Sequence, residues 1–373
     1  MALELEGSRS GYSDTQLELM DGFAALLGEH CPNSLIRTLI DDPSAKAGGL
    51  WKQLVDAGWT SALYPTELGG QGLGVADVSA LLVEAGRVLL PGPFFASAVL
   101  APLALGVSQA GGAALPGIDE VVSGRRIASF ALSEAPAAFP ALKVETKVGN
   151  GRISGVKRFV PDADQADFLL VLAKDGDARA VFAWVPMRAD GVEIVIHPTI
   201  DGRRLCTVTL DQAAVAGVLL LRADGVRDIL LRAALMTASL QLGGAERALA
   251  MAAGYAQMRV QFGRPIGAFQ AVSHRLVDLY CSVTVGRALL QKAVQAVDHE
   301  THAESASRAK IWNNDTYRAV TKGALQTFGG IGFTFEHDIH LYLRSAHALA
   351  ADFGSSADHR RLLLSATRAL RAA

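Results

Sequence analysis

A chain of 373 residues, half of them apolar, has material for two or three domains and an ample core. Its 35 Lys and Arg against 37 Asp and Glu leave a net charge of −2. That balance excludes nucleic-acid or membrane-surface binding that depends on bulk basicity. Cys31, Cys206 and Cys281 lie far apart without metal-ligand spacing, so reduced thiols are expected and a metal site is not. The opening MALELEGSRSGYSD lacks the basic start and apolar run of a secretory signal. No uncharged apolar stretch reaches the roughly 20 residues that span a bilayer, so a cytoplasmic protein without membrane insertion is expected.

Apolar residues recur at spacings of three and four over 14–27 and 50–57, which predicts helices. LYPTELGGQGLG (63–74) crowds Pro and Gly into a turn. ADVSALLVEAGRVLL (76–90) then resumes helical spacing until Pro91 and Pro93 stop it. From 127 to 221 the texture changes to short β-branched runs at 142–148, 152–156, 168–172, 180–186, 192–196 and 206–210. Turn residues separate them, as in a small barrel or sandwich. Helical spacing returns near Gly225 and runs through 229–258, 271–299, 303–328 and 355–371, with FTFEHDIHLYLRSAHAL (333–349) read as irregular. Helices apolar on several faces predict a bundle with faces left for other subunits. The expected fold is α+β in three parts: an N-terminal helical domain (1–122), a small middle β-domain (123–221) and a C-terminal four-helix-bundle domain (222–373).

Two glycine-broken segments concentrate the chemistry. In MRVQFGRPIGAFQ (258–270), Arg259 supplies a fixed cation, Phe262 a flat apolar face and Gln270 an amide. QTFGGIG (326–332) places Gln326 one helical turn ahead of Gly329 and Gly330, where a phosphate can approach the backbone closely. Arg binds pyrophosphate oxygens bidentately, an aromatic covers a ring and an amide fixes a polar edge. Taken singly, each segment also reads as an ordinary glycine-terminated helix end. Taken together they describe a site for a nucleotide-like ligand.

RVQFGRPIGAFQ and QTFGGIGFTFEHDIH, in this order, resemble the C-terminal domain of the acyl-CoA dehydrogenase family, and the helix–strand–helix order resembles that family across essentially the whole chain. The resemblance implies FAD as cofactor, held by Arg259, Phe262, Gln270, Gln326, Gly329 and Gly330, with much of the first segment offered to the flavin of a neighbouring subunit. SFALSEAP (129–136) resembles the family's segment ending in threonine-glutamate-proline, so Ser133 would offer a hydroxyl to the flavin. In FVPD (159–162), Phe159 would cover the flavin ring, while Pro161 has no side-chain donor for N5. Ser356 and Asp358 fall where a threonine and a glutamine reach the cofactor.

The base departs from the pattern. One family position for the catalytic glutamate is Gly354 here, and the other is Ala233. Gly354 keeps the backbone N–H that in the family holds the thioester oxygen. Asp352 is the nearby carboxylate that a small change of loop path could turn inward. Glu246, 13 residues beyond Ala233, would lie about 20 Å along the helix axis and is too far. The implied function is FAD-dependent α,β-dehydrogenation of an acyl-CoA thioester. The alternative is a non-catalytic subunit that completes the FAD site of a glutamate-bearing partner, with bulky or steroid-type acyl-CoA as the substrate class. A third reading keeps fold and flavin for other thioester chemistry. The implied partners are an acyl-CoA substrate, a homo- or hetero-oligomer (a dimer of dimers) with another acyl-CoA dehydrogenase-like chain, and an electron-transferring flavoprotein.

Overall fold

The computed structural model describes residues 5, 7–42, 45–109, 115–135, 139 and 142–372. They form two compact units. A helical unit gathers Met1–Ile36, Ser79–Leu90 and Ala234–Ala373, and a sheet unit gathers Arg37–Val78 and Pro91–Ala233.

Helices α1 (Asp14–His30), α2 (Asn33–Asp41), α3 (Gly48–Asp56) and α4 (Val75–Arg87) come first. Ser13 starts α1 through a reciprocal capping box with Gln16, satisfying two backbone donors that helix geometry leaves over. Phe94–Leu100 is wound as a π-helix, and the short helices α5 (Ala101–Gly106) and α6 (Ile118–Val122) follow.

Eight strands build the sheet: β1 (Ala128–Ala131), β2 (Lys147–Gly149), β3 (Arg152–Pro161), β4 (Phe168–Lys174), β5 (Ala180–Pro186), β6 (Val192–His197), β7 (Leu205–Ala214) and β8 (Gly217–Leu220). Their order is β6-β7-β3-β2-β4-β5-β8, with β1 paired parallel to β4. Leu169, Val171, Val181, Val185, Val208 and Leu210 belong to its buried core. β1 and β8, four residues each, fall outside the runs read from the sequence, being too short to carry a pattern. The strand expected at 142–148 shrinks to Lys147–Gly149. Ahead of it, the N–H groups of Glu145 and Thr146 donate to the Glu134 carboxylate (2.6 and 3.0 Å) instead of to a neighbouring strand.

The bundle follows as α7 (Gly225–Met258), a hairpin of β9 (Val260–Gln261) and β10 (Arg264–Pro265), then α8 (Gln270–Gln295), α9 (His302–Phe328), α10 (Ile339–Leu349) and α11 (Ser356–Ala372). The segment read as irregular therefore contains the ordered α10, whose polar start FEHDIH hides the apolar stripe of Ile339, Leu341, Tyr342, Ala346 and Leu349. α4 and α7 cross with backbones in contact: a Cβ on Gly243 would lie 1.8 Å from Val83 O, and one on Gly86 2.1 Å from Leu240 O. Glu246 is fully buried between two arginines. It accepts from Arg287 Nε (3.0 Å) and from Arg87, while Arg287 also donates to Gly7 O at 2.8 Å. This is a clamp among helices, in keeping with its exclusion as a base. Among the described residues no helix is long and apolar enough to cross a membrane.

Candidate functional site

The candidate residues fall into three local constructions, two in the helical unit and one in the sheet unit. The first is the β9–β10 hairpin that interrupts the helices. Arg259 N donates to Tyr255 O (2.8 Å) as the last link of α7, and Arg259 O accepts from Ile266 N (2.8 Å), closing the hairpin behind it. The two tip residues, Phe262 and Gly263, have φ of 52° and 78°, the signs that a two-residue turn of type I′ requires. Gly enters that region freely, whereas a bulky L-residue does so at a cost. Phe262 is also 93% exposed, touching its own chain at the edge of Phe269 (6.1 Å between centroids). Strain and exposure in one apolar ring are what a surface completed by another molecule looks like. Arg259 and Gln270 are likewise exposed.

The end of α9 stands beside this arm through the packing of Tyr255 on Phe328 (4.7 Å between centroids). Gln326 is exposed in the last turn of α9. Gly329 ends the helix at φ 62°, and its N–H returns to Gln326 O and Leu325 O. A Cβ built on either Gly329 or Gly330 would meet nothing within 4 Å. Packing within the chain therefore does not demand glycine at 330.

The second construction is the loop between α10 and α11. Phe353 (φ 51°) and Gly354 (φ 101°) repeat the left-handed Phe-Gly pair, but Gly354 is buried. Asp352 is half-buried, and its N–H donates to Leu349 O at 3.3 Å. Ser355 and Asp358 form a capping box for α11: the carboxylate accepts from Ser355 N (2.9 Å) and Oγ (2.6 Å), and Asp358 N donates back at 3.3 Å. Burial alone would raise the Asp358 carboxyl, but the Ser355 donors and Arg361 hold it below its usual range. Ser356 Oγ donates to Asp315 (2.9 Å). Ser356 and Asp358 thus have structural bonds of their own: the S-x-x-D spacing announces the Asp358 cap, and nothing local announces the Ser356–Asp315 bond.

Two further residues escape sequence reading altogether. His359 is fully buried, with Nε2 3.0 Å from Phe353 O and Nδ1 3.1 Å from Ser307 Oγ. Lys310, also buried, donates to Leu349 O (2.8 Å) and Asn314 Oδ1 (2.9 Å). The visible hint is the S-x-x-D box at 355–358, which starts a helix and so turns position 359 inward.

The third construction lies in the sheet unit. Lys157 is buried in β3 and donates to Glu134 Oε1 (2.7 Å) and Leu132 O (3.1 Å). Burial lowers the ammonium's pKa and Glu134 opposes the shift. These bonds pin the loop that carries Ser133, whose carbonyl accepts from Arg158 N at 2.7 Å. A bulge in the β3–β7 pairing follows, between Lys157 and Val160. There Phe159 sits at φ 57° and is 54% exposed, because a bulge re-aims the side chain it carries. Pro161 ends the strand with its carbonyl accepting from Ser129 Oγ. Pro136 lies outside the described residues. Asp162, buried at φ 48°, has its carboxyl pushed up to about 7, first by burial and then by Asp164. Asp164 itself faces Arg204 Nε at 3.0 and 2.9 Å.

Residues 226–367 match the profile of the acyl-CoA dehydrogenase C-terminal domain. The chain is 30% identical over 349 residues to the acyl-CoA dehydrogenase IpdE2 of Mycolicibacterium smegmatis, covering 92% of this chain and 96% of that one. Among solved structures, a chain of the ChsE4-ChsE5 complex from Mycobacterium tuberculosis superimposes with a TM-score of 0.86 at 28% identity, over 94% of this chain and 96% of that one. A chain of a single-substitution variant of the Tcur3481-Tcur3483 steroid ACAD gives 0.85 at 28% identity, over 95% and 99%.

Proposed function

Because the chain belongs to the acyl-CoA dehydrogenase family, we propose that it serves FAD-dependent α,β-dehydrogenation of an acyl-CoA thioester. One observation carries the cofactor assignment: a strained phenylalanine, 93% exposed, at the tip of a hairpin that Arg259 closes at its base. A flat ring seeking a flat apolar partner and a cation seeking a pyrophosphate fit FAD. Bound FAD would accept the hydride that leaves the substrate's β-carbon.

In this reading Arg259 binds the pyrophosphate, Phe262 and Gln270 complete the arm, and Gln326 with the Gly329 and Gly330 backbone hold the same dinucleotide, offered by one chain to the flavin of its neighbour. Phe159 covers a flavin ring and Ser133 offers it a hydroxyl. Ser356 and Asp358 reach the cofactor with the capacity left from their helix-capping bonds. Gly354 N–H donates to the thioester oxygen, which makes the α-proton more acidic. Asp352 takes that proton. The three-part division at 1–122, 123–221 and 222–373 is proposed as the functional organisation, in a cytoplasmic protein that passes electrons to an electron-transferring flavoprotein.

A second reading has its own observation. Neither family position for a glutamate holds one: Ala233 is fully buried, and Gly354 sits at φ 101°, where a side chain would be strained. The chain then completes the flavin site of a partner that carries the base, and the two solved structures at 28% identity are both named as pairs. A bulky, steroid-type acyl group suits the missing side chains. Expression alone and together with a homologous chain separates the readings. Yellow protein whose flavin bleaches with acyl-CoA when the chain is alone supports the first. Flavin binding and bleaching seen only in the pair supports the second, and a colourless pair contradicts both.

A further inference from the structure

The carbonyl of Phe353 and the N–H of Gly354 belong to one peptide group. That group is planar and in its trans form points the two in opposite directions. Whatever holds the oxygen therefore aims the N–H. His359 Nε2 lies 3.0 Å from that oxygen. A carbonyl only accepts, so Nε2 carries the ring proton, and Nδ1 accepts from Ser307 Oγ at 3.1 Å.

We propose that His359 is the positioning residue of the Phe353–Gly354 turn: its Nε2–H, steered by Ser307, fixes the peptide plane so that the Gly354 N–H meets the thioester oxygen. The assignment rests on the proposed function for the identity of what Gly354 meets, and on the geometry alone for the rest. Three structural features support it. The peptide is bracketed by left-handed backbone, φ 51° and 101°, which relaxes unless something holds it. The loop's other end is tied to the same helix, since Lys310 Nζ donates to Leu349 O at 2.8 Å and Ser307 and Lys310 lie one turn apart on α9. His359 is buried, and burial pushes its pKa down to about 4 with Lys310 adding to the effect. The ring thus stays neutral, with one donor and one acceptor. Donation to the carbonyl also polarises the peptide and strengthens its N–H as a donor.

The test compares His359→Leu, which removes donor and acceptor, with His359→Gln, which keeps an N–H near the Nε2 position. Hydrogen exchange of peptides covering 350–358 reads the turn without any turnover. The flavin-loaded complex is then assayed with octanoyl-CoA as probe thioester. The Leu variant is expected to exchange about 10-fold faster in this segment, and to lose about 10-fold in kcat with KM within about 2-fold and flavin content unchanged. The Gln variant should recover most of both losses, which a merely space-filling role for the ring would not produce. Should the Leu variant fail to fold, Ser307→Ala leaves Nδ1 without its donor and is expected to raise exchange in the same segment. Wild-type exchange in the Leu variant, or in Ser307→Ala where that replaces it, overturns the assignment whatever the turnover. A wild-type complex that bleaches with neither octanoyl-CoA nor a steroid-type acyl-CoA, with the exchange difference intact, instead overturns the proposed function and leaves the positioning of the turn standing.

Discussion

The helical unit builds the same left-handed dipeptide twice, and the two copies differ in what holds them. Phe262-Gly263 stands at a hairpin tip with its ring in solvent, whereas Phe353-Gly354 is enclosed and its carbonyl is tied to a buried histidine. Positive φ at phenylalanine is costly in both. At 353 the cost is offset inside the chain. At 262 the ring meets the edge of Phe269 and is otherwise 93% exposed, and in the proposed function the compensation comes from FAD or a neighbouring subunit.

The largest expected effect is in the bundle that carries both turns. Glu246→Ala strands two arginines there and is expected to cost about 3–5 kcal/mol of stability, read by denaturant unfolding; a change under about 1 kcal/mol would mean that the clamp does not hold these helices together. Next in size, Asp352→Asn should lower turnover of the competent complex about 10²-fold or more with FAD retained. An unchanged rate moves proton removal to the partner chain.

Two buried groups titrate in opposite senses. His359 has a folded pKa of about 4 against roughly 6.5 unfolded. Between those values the unfolded chain binds the extra proton, so its contribution is full above about 6.5 and is lost as pH falls toward 4. Asp162 is raised to about 7 from roughly 3.9 unfolded. The folded chain binds the proton there, so its contribution is full at low pH and is lost as pH rises through 7. Asp162→Asn, which also suits φ 48°, should therefore raise the Tm by about 1–2 °C at pH 8, the shift that ~1 kcal/mol produces at this chain length, and much less at pH 4. An equal shift at both pH values would remove ionisation as the cause. The smallest effect is at the exposed tip. Phe262→Asn should leave the stability of the flavin-free protein within about 1 kcal/mol while weakening flavin retention; a loss of several kcal/mol would show that the chain itself supports the tip after all.

The exposed construction is legible in the sequence and the enclosed one is not, for a physical reason. Arg259, Phe262 and the glycines announce themselves because two such segments together, each carrying polar or aromatic groups beside glycines, are more than two helix ends require. His359 and Lys310 are read only through what they touch, and Phe353 O and Leu349 O are brought to them by the packing of α9, α10 and α11. The long helices follow from periodicity over many turns. β1 is missed because it is only four residues long, whereas the similarly buried β4 and β5 have seven each, and the strand expected at 142–148 yields Glu145 and Thr146 to the Glu134 carboxylate. In FEHDIH, local polarity masks a helix whose apolar stripe begins only at Ile339.

Whether the hairpin arm binds FAD is decided by the flavin-to-protein ratio of the purified complex carrying Arg259→Ala, measured by absorbance after gel filtration. Loss of a bidentate, charge-assisted contact of about 2–3 kcal/mol should weaken FAD binding about 30- to 150-fold and leave the complex largely colourless but folded. A ratio equal to that of the unsubstituted complex would contradict the assignment of the arm to FAD.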